Sequence, residues 1–246
     1  MTWVETRSAS FSARHDARDA DAAVGLLDRM ELFRSQLDRR FFRTPGDVSI
    51  VMHPSVLDLS LAQPWLPLAR LATAPAARRY LAGWFSSNEI HVLSPHALEK
   101  RASPLLESLE ALRLAPMHEY AHLVVGANNP QLPPPFNPRS FARYLHWAWL
   151  CEGAATHFSG QAPLLRPAIV RRMREGRPPS FPPTARDAQL LGGTIFGLVE
   201  AAYGPAATVE LVSRLDAGGA AAAIERVFAR SPREVEPDWR EYLKSL

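Results

Sequence analysis

The sequence has little that would point to a secreted or membrane-spanning protein. It contains one cysteine, Cys151, among 246 residues, so no disulfide can form within the chain and nothing indicates an oxidising compartment. No run of residues approaches the ~18 consecutive apolar positions that a membrane-spanning helix needs. The first residues lack the apolar core of a signal peptide, and we therefore expect a cytoplasmic location.

The sequence also has little excess of either positive or negative charge. Lysine and arginine total 28 against 25 acidic residues, and the formal net charge is +3. The isoelectric point is basic because the excess positive charge is mostly arginine, but the arginines are scattered and form no run. This is a weak case for a nucleic-acid binder. We expect neither nucleic acid nor a membrane as partner.

The N-terminal half contains the strand patterns. Residues 8–13 alternate between polar and apolar and predict a first strand, while residues 47–53 and Glu89–Leu93 are rich in β-branched residues and predict two more. Residues 19–42 carry apolar side chains at helical spacing and predict an amphipathic helix. The pattern in residues 56–85 is ambiguous.

After residue 100 the patterns are helical, and prolines mark the boundaries. Residues 105–125 are apolar at helical spacing, with Pro116 as a break or a new start. Residues 127–139 hold five prolines and three asparagines, which predicts a loop. Residues 140–160 predict a further helix that is rich in aromatic side chains.

A short motif in the helix predicted for residues 105–125 carries the strongest functional signal. Its sequence is His118-Glu119-x-x-His122. Residues four apart lie on one face of a helix, so the two imidazoles can bind one zinc ion. Glu119 lies about 100° round the helix from His118, which suits a carboxylate that takes a proton from water. The alternative is a pair of surface histidines on an ordinary helix.

A catalytic zinc usually has a third protein ligand and one open position. Asn128 stands six residues after His122, where the metzincin pattern has a histidine, so that pattern is excluded. Glu152 lies in the otherwise apolar helical segment of residues 149–155. A buried carboxylate needs a partner, because an unpaired buried charge is costly. That partner is zinc, an arginine, or the end of a helix.

The two motifs together resemble the gluzincin metallopeptidases, and in particular the peptidase MA-like proteins. The likeness consists of His118-Glu119-x-x-His122 followed by Trp-Leu-x-Glu-Gly-x-Ala, whose glutamate, Glu152, lies 30 residues after His122. The resemblance implies that Glu152 is the third ligand of Zn²⁺. It extends more loosely to residues 45–245.

The resemblance also implies an α+β, zincin-like fold. We expect residues 1–126 to form an N-terminal α/β lobe, in which a small mixed sheet lies over the metal-binding helix. Residues 127–246 would form a helical C-terminal lobe that carries the third ligand and closes the cleft. The two lobes would make one catalytic unit.

The predicted function is a zinc metallopeptidase that acts on a peptide or protein substrate, with Glu119 as general base. Amide hydrolysis also needs a donor or cation aimed at the developing oxyanion. The candidates are four aromatic and histidine side chains, of which we favour the first two: Tyr203, His157, His146 and Tyr144.

We expect the substrate to pair with an edge strand, and Glu89–Leu93 is the strand that the sequence suggests. Two further hypotheses belong to other classes. One is a zinc-binding module without proteolytic activity that acts as an interaction or regulatory protein. The weaker one is a nucleic-acid binder based on the basic isoelectric point. The sequence does not indicate the substrate or the oligomeric state.

Overall fold

The computed structural model describes residues 2–246 and shows a mixed α+β protein. Its five strands form one sheet in the order β1-β2-β3-β5-β4. The three central strands are parallel, and each edge strand pairs antiparallel with its neighbour. The strands are β1 (Trp3–Arg7), β2 (Phe11–Asp16), β3 (Val48–His53), β4 (Gly83–Phe85) and β5 (Glu89–Leu93).

Residues 2–246 also contain thirteen α-helices, and most of the C-terminal half is helical. They are α1 (Ala20–Asp38), α2 (Val56–Ala62), α3 (Trp65–Ala72), α4 (Pro95–Arg101), α5 (Leu106–Arg113), α6 (Ala115–Asn128), α7 (Pro138–His146), α8 (Ala148–Phe158), α9 (Arg166–Arg174), α10 (Ala188–Tyr203), α11 (Pro205–Val212), α12 (Gly219–Phe228) and α13 (Pro232–Ser245). Within the described residues, no helix combines the length and the apolar character that crossing a membrane requires.

The strand predicted at Glu89–Leu93 is confirmed, but the prediction that a substrate pairs with it is wrong. β5 lies inside the sheet, because β3 pairs with one side of it and β4 with the other. Its main-chain groups are therefore already used by the sheet. The strands with a free side are β1 and β4.

Short elements account for most of the other differences from the sequence predictions. The ambiguous residues 56–85 contain α2, α3 and β4, each at most eight residues long, which is too short to show a clear period. The predicted first strand corresponds to β2, and β1 precedes it. The helix predicted for residues 140–160 is two helices, since the chain leaves the helical conformation at Trp147.

The helix with the His-Glu-x-x-His motif, α6, packs against one face of the sheet. It begins at Ala115 with Pro116 in its first turn. Of the two possibilities that the sequence left open, a break within one helix and the start of a new one, the structure shows the second. The ring of Tyr120 lies 5.1 Å from that of Phe11 on β2. Every residue from Ala115 to Val125 is buried, so α6 is a core helix.

Two glycines set the distance between α8 and α10. A β-carbon on Gly153 would lie 2.6 Å from the carbonyl carbon of Gly192, and one on Gly192 would lie 2.5 Å from the carbonyl oxygen of Trp149. The helix backbones therefore touch directly, which only glycine permits. This contact holds α8 against the core one residue away from Glu152.

Candidate metal centre

Three side chains from two helices converge at one point in the core. His118 and His122 come from α6 and Glu152 from α8, and their ligand atoms all lie within 4.8 Å of one another. The two imidazole Nε2 atoms are 3.2 Å apart. Glu152 Oε2 lies 3.3 Å from His118 Nε2, and Oε1 lies 3.5 Å from His122 Nε2. The group can hold a metal ion, with two nitrogen ligands and one carboxylate.

The protonation of His118 is fixed by Gln161, a residue that the sequence did not single out. Gln161 Nε2 donates to the carbonyl of Ala111 at 2.8 Å, so Oε1 faces the opposite direction. That oxygen lies 2.8 Å from His118 Nδ1. Because an amide oxygen only accepts, Nδ1 carries a proton and Nε2 is the nitrogen that faces the metal position. Burial alone would lower the pKa of His118, but the Glu152 carboxylate raises it, so a metal would bind at Nε2 with release of any proton held there.

His122 is held by packing. Its ring stacks on Phe85 of β4, with 4.4 Å between ring centroids and 13° between planes. Burial lowers the pKa of His122 to about 3, so the ring is neutral at neutral pH. A neutral imidazole is the form that binds metals.

Glu152 has the features expected of a metal ligand. Its Oε2 atom is buried and makes no hydrogen bond, which is costly for a carboxylate oxygen. The hydroxyl of Tyr144 on α7 donates to Oε1. Burial would raise the pKa of Glu152, but its interactions with His118 and His122 outweigh burial and hold the pKa at about 2. The group is therefore an anion facing two imidazoles.

Glu119 lies beside this group but is not part of it. Its carboxylate packs against the first residue of β4, where a β-carbon on Gly83 would come within 2.7 Å of Glu119 Oε1. Burial raises the pKa of Glu119 to about 8, and the charge of Glu152 adds to this effect while that of His118 opposes it. The absence of a side chain at Gly83 therefore leaves the space that the carboxylate occupies.

The metal group is closed off from solvent in this structure. The three ligands and Glu119 are all at least nine-tenths buried. Phe136, in the loop before α7, lies 5.0 Å from Phe85, and Tyr144 lies 6.1 Å from His122, both between ring centroids. We call Phe136, Phe141 and Tyr144 the aromatic cover. Its rings pack on the side chains of Trp84 and Phe85 in β4.

The two residues favoured as oxyanion donors have their contacts elsewhere. The hydroxyl of Tyr203 donates to the carbonyl of Phe228, and its side chain is half exposed. It lies eleven residues along α10 from Gly192, or about 16 Å at 1.5 Å per residue. His157 lies five residues after Glu152, about 140° round α8, and its Nε2 is 3.7 Å from Glu200.

The other two candidates for the oxyanion donor differ in their distance from the metal group. His146 is exposed at the end of α7 and packs on Trp147. Tyr144 is buried and is the one candidate of the four that contacts a member of the metal group. The break between α7 and α8, which the sequence pattern does not predict, allows this contact.

Comparisons with protein-family models, with curated proteins and with solved structures found no match for this chain. The likeness to gluzincins therefore rests on the two sequence motifs. The structure adds that residues from both motifs meet in one buried group. The division into lobes at residues 126 and 127 stays a prediction, and the metal group takes ligands from both sides of it.

Proposed function

We propose that this protein is a zinc-dependent metallohydrolase, and that it hydrolyses peptide bonds. The observation that carries the proposal is the convergence of His118, His122 and Glu152, with Glu119 next to them on the same helix. Two imidazoles and a carboxylate form a donor set that suits zinc, and three protein ligands leave a fourth position for chemistry. The orphaned oxygen of Glu152 fits a site that is completed by a cation.

When bound, zinc would supply Lewis-acid chemistry, polarising a carbonyl group and making water more acidic. The residues of the chain would do the rest. Burial raises the pKa of Glu119 to about 8, and the positive charge of a bound cation would lower it again. The ionised carboxylate would then accept a proton from the attacking water and carry it to the leaving amine. Gln161 would keep the Nε2 lone pair of His118 directed at the metal position. Phe85 would hold the ring plane of His122.

For the oxyanion we propose Tyr144 in place of Tyr203 and His157. Its hydroxyl lies at Glu152 Oε1, so it is the candidate donor that stands beside the metal group. Phenolic hydroxyls are suitable donors for a developing oxyanion. A Tyr144→Phe variant is expected to keep its metal and lose at least ~10-fold in kcat, since one lost donor typically costs more than that.

The strand that would receive a peptide is β4. It is the edge strand next to Glu119, and in an antiparallel edge strand every second residue directs its main-chain groups outward. In this structure the aromatic cover occupies that side. We therefore propose that a substrate enters when α7 and the loop before it move away from β4.

A second candidate is a zinc-binding module without proteolytic activity. The burial of all three ligands favours it, because structural sites are closed to solvent. Against it stands Glu119, a buried carboxylate that a structural site does not require. The two candidates predict the same metal content and differ in hydrolysis.

The test begins with elemental analysis of the purified protein beside His122→Ala and Glu152→Ala. Near-stoichiometric zinc in the wild type, lost in both variants and kept in a His96→Ala control with an exposed histidine, supports the site. Hydrolysis of a fluorogenic peptide library is then compared with Glu119→Gln. Loss of turnover with zinc retained supports the peptidase. Zinc without turnover in any preparation favours the binding module, and no zinc after reloading overturns both.

A further inference from the structure

A shallow, open depression of the surface away from the metal centre is lined by five cationic side chains and no acid. It measures about 510 Å³. Two small apolar residues, Val56 and Ala97, complete its lining. We call it the basic pocket, and its cations are Arg70 on α3, Arg78 and Arg79 in the 3₁₀ turn that follows, and Lys100 and Arg101 at the end of α4.

None of these five cations forms an ion pair within the described residues. The ion pairs found there are all formed by basic side chains outside the pocket. The buried Arg172, by contrast, donates two hydrogen bonds to Asp187.

Main-chain carbonyls hold three of the guanidinium groups in place. Arg78 donates to the carbonyl of Thr73 at 3.0 Å. Arg101 donates to the carbonyls of Arg78 and Arg79, and Arg70 donates to the carbonyl of Leu81 at 3.0 Å. Arg70 also donates to the hydroxyl of Ser60 at 2.8 Å. These side chains are therefore ordered before any ligand arrives, which lowers the entropy that binding would cost.

Donors remain that the protein does not use. Arg70 Nε is buried and has no hydrogen-bond partner among the described residues, which is rare for a guanidinium nitrogen. Burial, together with the charges of Arg70 and Arg79, lowers the pKa of Arg101 to about 10. The cations thus repel one another across the pocket, and a bound anion would relieve this repulsion.

We propose that the basic pocket binds a phosphate-bearing ligand, and that a group with two or three linked phosphates fits it best. A single carboxylate would leave most of the five charges uncompensated. Guanidinium groups match phosphate oxygens with paired hydrogen bonds, and lysine adds a mobile point charge. Lys100 and Arg78 are exposed, so a ligand can reach them from solvent.

The phosphate could belong to a free molecule or to a lipid headgroup. Both have the same recognition chemistry. An experiment has to distinguish the two sources, because exposed leucines that could contact a membrane lie on α2 and α3, which border the pocket. They are Leu57, Leu61, Leu68 and Leu71.

The experiment is an isothermal titration of the full chain with pyrophosphate, beside the double variant Arg79→Gln/Lys100→Gln. Neither side chain makes a hydrogen bond among residues 2–246, so the framework around Arg101 stays intact. The matched control is Arg174→Gln/Arg177→Gln, which removes two exposed, unpaired charges elsewhere. A repeat on His122→Ala excludes capture of pyrophosphate by a metal at the proposed zinc site.

We expect pyrophosphate to bind and the pocket variant to lose at least ~10-fold in affinity, since hydrogen bonds to charged groups are removed. The control should change less than ~2-fold. Sedimentation with phosphatidylcholine vesicles, with and without phosphatidic acid, identifies the source. Binding to phosphatidic acid alone, lost in the pocket variant, assigns the phosphate to lipid.

Three results would overturn the proposal. One is that neither pyrophosphate nor the vesicles bind. Another is an equal loss in the pocket and control variants, which would mean general charge attraction. The last is binding of a polyglutamate peptide without any binding of phosphate, which would replace the ligand class.

Discussion

Gln161 Oε1 accepts a hydrogen bond from Nδ1 of His118 at 2.8 Å, and this contact decides which nitrogen of the imidazole is available to a metal. Gln161 can act in this way because the carbonyl of Ala111 fixes its own amide orientation. The chain thus orients its first histidine with a neutral amide rather than with a carboxylate.

The first prediction follows from this contact. Gln161→Leu should weaken zinc binding by about 10- to 100-fold, because the orientation and tautomer of His118 are no longer held. Gln161→Glu, which still accepts a hydrogen bond, should bind at least as tightly as the wild type. Competition with a chromophoric chelator measures both. Equal affinities for Gln161→Leu and an exposed control, Gln36→Leu, would show that the contact does not support the site.

A second prediction concerns Gly83. An alanine there would place its β-carbon 2.7 Å from Glu119 Oε1, so the carboxylate has to move. We expect hydrolysis to fall at least ~10-fold while zinc content stays unchanged, since general-base catalysis contributes a factor of that order or more. The control is Gly46→Ala, where a β-carbon meets nothing within 4 Å. Full activity of Gly83→Ala would argue against Glu119 as the base.

The sequence predicted those site residues whose pattern lies within a single helix. The spacing of His118 and His122 requires only that α6 be a helix, and Glu152 could be found because a carboxylate is conspicuous in an apolar segment. Gln161 and Tyr144 could not be found in this way. Their roles depend on how separate helices pack, and an amide or a phenol in such a segment gives no signal by itself.

The same limit explains the error about the substrate strand. Glu89–Leu93 has the composition of a strand, and that prediction was correct. Whether a strand lies inside a sheet depends on the strand that joins it. Here that partner is β4, which has three residues, too few to register as a pattern in the sequence.

A third prediction tests the contact between α8 and α10. Gly192→Ala should destabilise the protein by roughly 2–4 kcal/mol, because the new methyl group would lie 2.5 Å from the carbonyl oxygen of Trp149 and the helices must separate. Denaturant titration measures this effect. The control, Gly25→Ala in α1, meets no atom closer than 3.6 Å and should stabilise by up to about 1 kcal/mol through helix propensity. Equal stability of the two variants would contradict the role of Gly192.

The last prediction concerns pH and a histidine pair on the sheet face that carries Arg14 and Glu89. His53 Nε2 and His91 Nδ1 are 2.9 Å apart, and burial lowers the pKa of each ring to about 4. The unfolded chain titrates near ~6.5, so it binds more protons than the folded chain between these values. The stability is therefore fully present above about pH 6.5 and is lost as the pH falls toward 4.

The charges around the pair modify this loss without reversing it. Glu89 lies 3.1 Å from His91 Nε2, and its charge and that of Asp58 raise the pKa of His53, whereas Arg14 lowers the pKa of both rings. After allowance for solvent screening, we expect a loss of about 2 kcal/mol between pH ~7 and pH ~5 in urea titrations. His53→Asn/His91→Asn should lose less over the same interval. The exposed pair His96→Asn/His146→Asn should behave as the wild type, and an equal pH slope in all three proteins would exclude the buried pair as its source.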